Sequence, residues 1–220
     1  MTERRHQKDR SNETRALLVR ATVSLLQSAG YAGTTTALIA REAGVTTGAL
    51  HHHYAGKDEL MMGVLDAATA RIRSLLDRYE APAPAPGDVD ARRLVAHLWQ
   101  AYGDPAYWAV WEIIIGTRAS GDVHRSVVEH RRATIQSVVH PWIDRCIGSA
   151  AARPEAMTLF EFMLIAIRGL GLERFLHRDP AYFETHLGLL ADLVGPRLAA
   201  LAAPGGRAGA ARHDCERTEP

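Results

Sequence analysis

Apolar residues recur along most of this 220-residue chain at intervals of three and four positions. This spacing places them on one face of an α-helix. A half-buried strand would instead alternate apolar and polar residues between turn signals, and the chain has no such stretch. The pattern therefore predicts an all-α protein of about nine helices.

The N-terminal quarter predicts three helices separated by glycines. The first is expected over about residues 12–29, and the second begins at Thr34 or Thr35, whose hydroxyl can cap its first turn. Gly44 supplies the left-handed backbone of a tight turn, and the third helix covers about residues 47–53. Two short helices joined in this way match the helix-turn-helix pattern, in which the second helix reads the major groove of DNA.

Longer helices are predicted in the rest of the chain. One runs from about Lys57 to Tyr79, and the "APAPAPGD" segment at 81–88 then favours an extended polyproline II connection. Pro141 is expected to kink or break a long helix near 122–148. The other expected helices begin near residues 90 and 104 and span 154–177 and 180–203.

Charge is distributed unevenly along the chain. Its total is +1, but residues 1–57 hold 8 basic and 4 acidic side chains, or +4, which leaves 18 basic and 21 acidic, or −3, for the remainder. A basic end on a balanced chain points to a polyanionic partner. Arg4, Arg5, Lys8 and Arg10 are expected to form a flexible basic arm that adds salt-sensitive affinity for DNA.

Several functional classes find no support in the sequence. The chain lacks the G-x-S-x-G, H-E-x-x-H and P-loop motifs, so we expect neither an enzyme nor a cofactor. Two distant cysteines, no secretory signal and no uninterrupted apolar span indicate a cytoplasmic protein without membrane contact. The run His51, His52, His53 is not expected to bind metal, because adjacent helical residues point about 100° apart.

The segment from Thr14 to Leu60 closely resembles the N-terminal domain of TetR-family transcriptional regulators. The resemblance rests on "AGY" at the end of the first helix, "IAREAGV", the T-x-G-x-L start of the third helix, then His53-Tyr54 and Lys57. It implies a homodimer with a DNA-binding head and a helical body that holds a small-molecule pocket. Most such proteins are repressors that bind a palindromic operator and are released by an effector, which we expect here to be largely apolar. The alternative is a ligand-blind DNA-binding regulator controlled by a protein partner or by its abundance.

The resemblance also implies a division of the chain into three parts. We expect the arm and DNA-binding domain over 1–56, the ligand-binding and dimerisation domain over 57–203, and a disordered tail over 204–220. The candidate DNA contacts are Thr35, Thr36, Thr46, Thr47, Gly48, His51, His52, His53 and Lys57. Thr35 and Thr46 are equally interpreted as helix caps. His51 and His52 stand where related proteins usually have an aromatic ring, commonly tyrosine, so these two positions are expected to alter base preference.

Aromatic residues in the body are candidates for the ligand pocket. The candidate lining is Trp99, Tyr102, Trp108, Trp111, Ile115, Arg118 and Met163, with Arg118, His130 or Arg168 as polar anchors. For any one of these apolar residues the alternative is ordinary core packing, and Glu112 and Arg118 can pair structurally instead of touching a ligand. The helices at 154–177 and 180–203 are the candidate dimer interface. The residues expected to build it are Phe160, Leu164, Ile167, Leu187, Leu190, Leu193 and Val194.

Overall fold

The computed structural model describes residues 2–79, 90–147 and 152–202, and within these ranges it contains helices and no strands. The all-α prediction is confirmed. The helices are α1 (Thr2–Gly33), α2 (Thr36–Glu42), α3 (Thr47–His53), α4 (Lys57–Tyr79), α5 (Ala91–Tyr102), α6 (Trp108–Gly116), α7 (Gly121–Thr134), α8 (His140–Ile147), α9 (Arg153–Leu172) and α10 (Pro180–Ala202). A π-helical segment joins α7 to α8, so the two helices are continuous with each other. The 81–88 connection and the 204–220 tail lie outside the described residues.

The helix-turn-helix forms where the sequence predicts it, because its boundaries depend on contacts between near neighbours. The Thr35 hydroxyl accepts a hydrogen bond from the Leu38 backbone N–H at 3.3 Å and caps α2. The Thr46 hydroxyl accepts one from Ala49 N–H at 3.1 Å and caps α3 in the same way. Gly44 joins the two helices with φ of 68°, a conformation that costs glycine little.

The first helix is longer than the sequence predicts. It starts at Thr2 rather than near residue 12, so the segment expected to be a flexible arm is helical. The expected break does occur at Gly30, where φ of 67° and ψ of 178° interrupt the helical backbone before a last short turn. The early start has a local reason, because residues 2–12 contain neither glycine nor proline and nothing in them ends a helix.

A buried apolar cluster holds the three N-terminal helices together as a head. Leu18 of α1, Ile39 of α2, Leu50 of α3 and Leu60 at the start of α4 are all fully buried within it. Leu50 therefore packs in the core, as its apolar character at the centre of a short helix indicates. Because α4 begins in this cluster and continues into the body, it connects the two regions through one continuous helix.

The long helix near 122–148 is distorted just before Pro141, where the sequence predicts a kink or break. Residues Ile135–Val139 form the π-helical segment, in which His140 donates its backbone N–H to the Ile135 carbonyl, five residues earlier. Pro141 has no N–H to donate, so the regular hydrogen-bond series cannot continue through it. A widened turn just before a proline is one of the recognised causes of a helix bend.

The expected dimer residues are mostly buried within their own chain. Phe160, Leu164 and Ile167 of α9, with Leu190 and Val194 of α10, pack into the main body core against α5 and α8. For these five residues the prediction that they build the dimer interface is therefore wrong. Of the seven residues, Leu187 is partly buried and only Leu193 is exposed. A different set of apolar residues lies on the outer faces of these helices: Phe162, Ile165, Leu172, Leu189 and Leu193.

Candidate DNA-binding face and effector cavities

The third helix presents a polar surface to solvent and an apolar one to the head. Leu50 and the following Tyr54 are buried, while Thr47, Gly48, His51 and His52 are exposed. Helical periodicity explains the separation, because Thr47 and His51 are four residues apart and share a face. The structure thus brings these predicted contact residues together on one accessible surface, where a helix of this size can enter a major groove.

The three histidines differ in their surroundings, since His51 and His52 are exposed and His53 is half-buried. The rings of His52 and His53 meet edge to face with centroids 5.2 Å apart. His53 is half-buried, and its pKa is lowered by burial first and then by the nearby charges of His52 and Arg15. Among the residues whose side chains are described, no three His, Cys, Asp or Glu side chains converge in a way that suits a metal ion.

The threonines at the two helix starts already act as caps. The Thr35 and Thr46 oxygens accept backbone N–H groups, but each hydroxyl keeps its own proton and both residues are exposed. Thr36 is half-buried in the first turn of α2. Capping and phosphate contact are therefore compatible, since one uses the acceptor and the other the donor of the same hydroxyl.

Lys57 is held by a residue of the first helix. Its Nζ donates a hydrogen bond to the Tyr31 carbonyl oxygen at 2.5 Å and lies 3.8 Å from the centroid of the Tyr31 ring. The pKa of Lys57 is lowered by burial, and Asp58 acts in the opposite direction. Nothing in the local sequence around Lys57 indicates this contact, because Tyr31 lies 26 residues earlier.

Tyr31 is also one of the residues through which the head contacts the body. The Glu112 carboxylate on α6 accepts a hydrogen bond from the Tyr31 backbone N–H at 3.2 Å and one from the Trp108 indole N–H at 3.0 Å. Gly116 leaves room for the Tyr31 ring, since a methyl group there would overlap its Cβ and Cγ atoms. The Arg118 guanidinium donates to the Ile115 carbonyl at 2.9 Å, and Glu112 is engaged with Trp108 and Tyr31 instead.

Three cavities adjoin one another in the body. The large cavity, about 320 Å³, lies between α4, α6, α7 and α9 and has Arg131 and Arg168 on its wall. The Trp111 cavity, about 240 Å³, is lined by Trp108, Trp111 and Arg168 among others. The Arg71 cavity, about 250 Å³, is bounded by residues of α1 and α4. Tyr107 lines all three, so they meet at this ring.

The predicted ligand residues divide between the cavities and other places. Tyr102 lines the large and Trp111 cavities, and Trp108 and Trp111 line the latter. The other four residues line none of the three cavities. Trp99 stacks on Phe183 with ring centroids 5.5 Å apart, and Met163 is buried in the core. Ile115 and Arg118 lie exposed at the end of α6.

Two of the three suggested anchors, His130 and Arg168, line the large cavity. Among the other lining residues, Tyr107 belongs to the aromatic set that the sequence offers for a pocket, whereas Arg131 was not identified from the sequence. Tyr107 precedes Trp108 in the "DPAYW" segment, and Arg131 follows His130, so each adjoins a residue that was identified. Neither is marked by a motif of its own, and only the packing of four helices directs both side chains into one space.

Known proteins resemble both regions of this chain. Residues 18–63 match the sequence profile described as bacterial regulatory proteins, tetR family. The HTH-type transcriptional regulator CymR of Pseudomonas putida is 23% identical over 188 residues, which cover 82% of this chain and 89% of that protein. A putative transcriptional regulator from Pseudomonas aeruginosa is 27% identical and aligns in structure over 84% of this chain and 90% of its own, with a TM-score of 0.55.

The likeness in fold extends over the head and the body together. SCO4454, a TetR-family transcriptional regulator from Streptomyces coelicolor, aligns with a TM-score of 0.64 at 21% identity. The alignment covers 90% of this chain and 96% of that one. Within the described part of the chain, no helix combines the length and the apolar character that crossing a membrane requires.

Proposed function

We propose that this chain, which belongs to the tetR family of bacterial regulatory proteins, acts as a homodimeric repressor released from its operator by a small molecule. Membership of the family makes it a DNA-binding transcriptional regulator. One observation supports the effector response above the others. Glu112 is hydrogen-bonded both to Trp108 in a cavity wall and to Tyr31 in the DNA-binding head.

The exposed surface of α3 is the proposed reader of the operator. Thr47, Gly48, His51 and His52 reach the base edges, since imidazole offers both a donor and an acceptor to them. The other proposed contacts, Thr35, Thr36, Thr46, His53 and Lys57, lie at helix starts or beside α3, where backbone N–H groups and side chains meet phosphate. This division assigns sequence recognition to α3 and orientation on the duplex to its neighbours.

The outer faces of α9 and α10 are the proposed dimer interface. Ile165 is 67% exposed and Leu193 63% exposed, and Phe162, Leu172 and Leu189 extend the same apolar faces. Exposed apolar side chains in such number on adjacent helices typically mark a protein interface. Two copies related by a twofold axis would bury these four helix faces together and present two α3 helices to a palindromic site.

Effector release follows from the connection between cavity and head. A ligand beside Trp108 shifts the indole that donates to Glu112, and the same carboxylate holds the end of α1 at Tyr31. Tyr31 in turn holds Lys57 at the start of α4. A ligand that binds the non-operator arrangement more tightly shifts the population toward it by that difference in affinity.

Selection of bound DNA from a random library, followed by fluorescence anisotropy at fixed salt, tests the DNA half of the proposal. We expect a twofold-symmetric site from which the double variant His51→Ala, His52→Ala loses about tenfold or more in affinity, as base contacts of this kind are worth about 1–3 kcal/mol. His186→Ala, an exposed histidine on α10, serves as the matched control. A selected site without symmetry, or an unchanged double variant, contradicts the proposal.

A thermal-shift screen of apolar small molecules tests the effector half. A ligand that binds the folded protein raises its melting temperature by mass action, and the proposal requires the same compound to weaken operator binding. If no compound does both, the protein is a ligand-blind regulator controlled by a partner or by its abundance.

A further inference from the structure

Two arginines on the wall of the large cavity have no carboxylate partner in the described part of the chain. The Arg168 Nε is buried and makes no hydrogen bond, while its guanidinium lies 5.1 Å from the centroid of the Tyr102 ring. The Arg131 guanidinium lies 5.6 Å from the Trp111 ring. An aromatic ring satisfies only part of the bonding capacity of a guanidinium, because the N–H groups lie in the plane of the cation and donate to acceptors in that plane.

The carboxylates near this cavity are already engaged or lie at its rim. Asp66 accepts from the ring N–H of His130 at 2.8 Å, and Asp104 pairs with Arg71. Glu161 lines the cavity but is exposed to solvent. The fixed charges of the lining are therefore two positive from Arg131 and Arg168 and one negative from Glu161, which sum to one positive charge.

Arg131, Arg168 and Tyr102 line one cavity, and Arg168 contacts Tyr102 directly. Burial raises the pKa of Tyr102, while the positive charges of Arg168 and Arg131 both lower it. Arg168 also donates a hydrogen bond to the Tyr102 side chain, and all three residues line the same cavity. The Tyr102 hydroxyl accepts from Arg168 and keeps its own proton, so the cavity wall carries two guanidinium groups and one hydroxyl that can donate.

Apolar side chains make up most of the rest of the wall. They come from four helices: Leu65, Ile72, Val110, Val127, Phe160 and Leu164. A volume of about 320 Å³ lies near the lower end of the range of roughly 300–1,000 Å³ found for small-molecule sites. The cavity therefore combines a compact apolar body with a cationic end, which matches an amphipathic anion.

We infer that the large cavity binds an apolar monocarboxylate whose carboxylate contacts Arg168, Arg131 and the Tyr102 hydroxyl. The single net positive charge favours a monoanion, because a second negative charge would be left against apolar walls without a partner. A guanidinium suits a carboxylate in particular, since two parallel N–H groups match its two oxygens. The large cavity shares Tyr102, Tyr107 and Arg168 with the Trp111 cavity, where the proposed effector response begins. This inference deepens that response and rests on it for its regulatory meaning, although binding itself can be measured without DNA.

The test uses naphthoate and octanoate as probes, each against its own primary amide. Isothermal titration of the full-length protein should show binding of both carboxylates at least tenfold tighter than of the amides, because the loss of charge removes the charge-assisted hydrogen bonds. Arg168→Met and Arg131→Met should each abolish that preference while the amides bind as before. Arg132→Met is the matched control, since Arg132 is the exposed neighbour of Arg131 and lines none of the three cavities.

Three outcomes would overturn the inference. These are equal binding of acids and amides, no binding of either carboxylate, or tighter binding of naphthyl phosphate than of naphthoate. If an uncharged compound binds and releases the operator, the proposed function stands and the ligand class is wrong. If the carboxylates bind with the predicted dependence on Arg168 but leave operator affinity unchanged, the ligand site stands and the effector response is wrong.

Discussion

The Glu112 carboxylate accepts the backbone N–H of Tyr31 across 81 positions of sequence, at a donor–acceptor distance of 3.2 Å. The contact joins α6, whose Trp108 lines a cavity, to the residue that follows the helix break at Gly30. Gly30 also approaches this carboxylate, since a Cβ placed there would lie 3.3 Å from Oε2 of Glu112. The end of α1 is therefore positioned by the body as well as by the head.

Replacement of Glu112 should weaken this connection. Glu112→Ala removes the acceptor of two part-buried donors, so we expect a loss of about 1–2 kcal/mol in the free energy of unfolding. We also expect ligand binding to change operator affinity less than in the wild type, as measured by anisotropy with and without a bound compound. Glu129→Ala, an exposed glutamate on α7, is the control. If Glu112→Ala keeps the full response to ligand, the connection does not carry the signal.

The close approach of Tyr31 to α6 should not tolerate a side chain at Gly116. Gly116→Ala places a methyl group against the Cβ and Cγ atoms of Tyr31, and these cannot move aside without the backbone. Overpacking of this kind costs about 1–3 kcal/mol. Thermal melting should therefore show a lower transition for Gly116→Ala. Gly121→Ala, where a methyl group meets open space, should melt no lower than the wild type.

Lys57 is expected to release Tyr31 and bind a phosphate in the operator complex. Lys57→Met should then lower the steepness of the plot of log affinity against log salt by about 0.9 for each lost phosphate contact. The relevant measurement is anisotropy on the selected operator at several salt concentrations. Arg125→Met, on α7 and paired with Asp122, should keep the wild-type slope. An unchanged slope for Lys57→Met would show that Lys57 stays with Tyr31 on DNA.

The outer faces of α9 and α10 should control the oligomeric state. Phe162→Asp and Leu193→Asp each place a charge within the proposed interface, where an unpaired charge is strongly unfavourable. Sedimentation or light scattering should show monomers for both variants at concentrations where the wild type is a dimer. Val128→Asp replaces a comparably exposed apolar residue on α7 and should leave the dimer intact. Dimers of both α9 and α10 variants would place the interface elsewhere.

Stability should depend on pH through His53. Because the pKa of His53 is lowered in the folded state, the unfolded chain binds this proton more tightly. The associated stability is therefore complete above the ordinary histidine pKa, near 6.5, and is lost as the pH falls toward the folded value. The melting temperature of His53→Gln should fall less between pH 7 and pH 5 than that of the wild type. At pH 8, where His53 is neutral, the difference in melting temperature between the variant and the wild type measures lost packing alone. Parallel plots of melting temperature against pH for the two proteins would contradict the assignment.

The sequence determined the elements of the head because their signals are local. The caps at Thr35 and Thr46 act on backbone groups three residues away, and Gly44 fixes its own turn. Such contacts form in any context that allows the helix, so the boundaries of α2 and α3 follow from reading the chain. The same holds for the distortion before Pro141, since a missing N–H interrupts a helix wherever it lies.

Only the tertiary structure decided which face of each helix turns inward. In α9 and α10 apolar residues occupy nearly the whole circumference, so periodicity did not distinguish the buried Phe160 from the exposed Ile165. The hydrogen bond between Glu112 and Tyr31, and the contact of Arg168 with the Tyr102 ring, likewise join residues distant in sequence. Their proximity arises from packing between helices, which depends on the shapes of all side chains at once rather than on any local pattern.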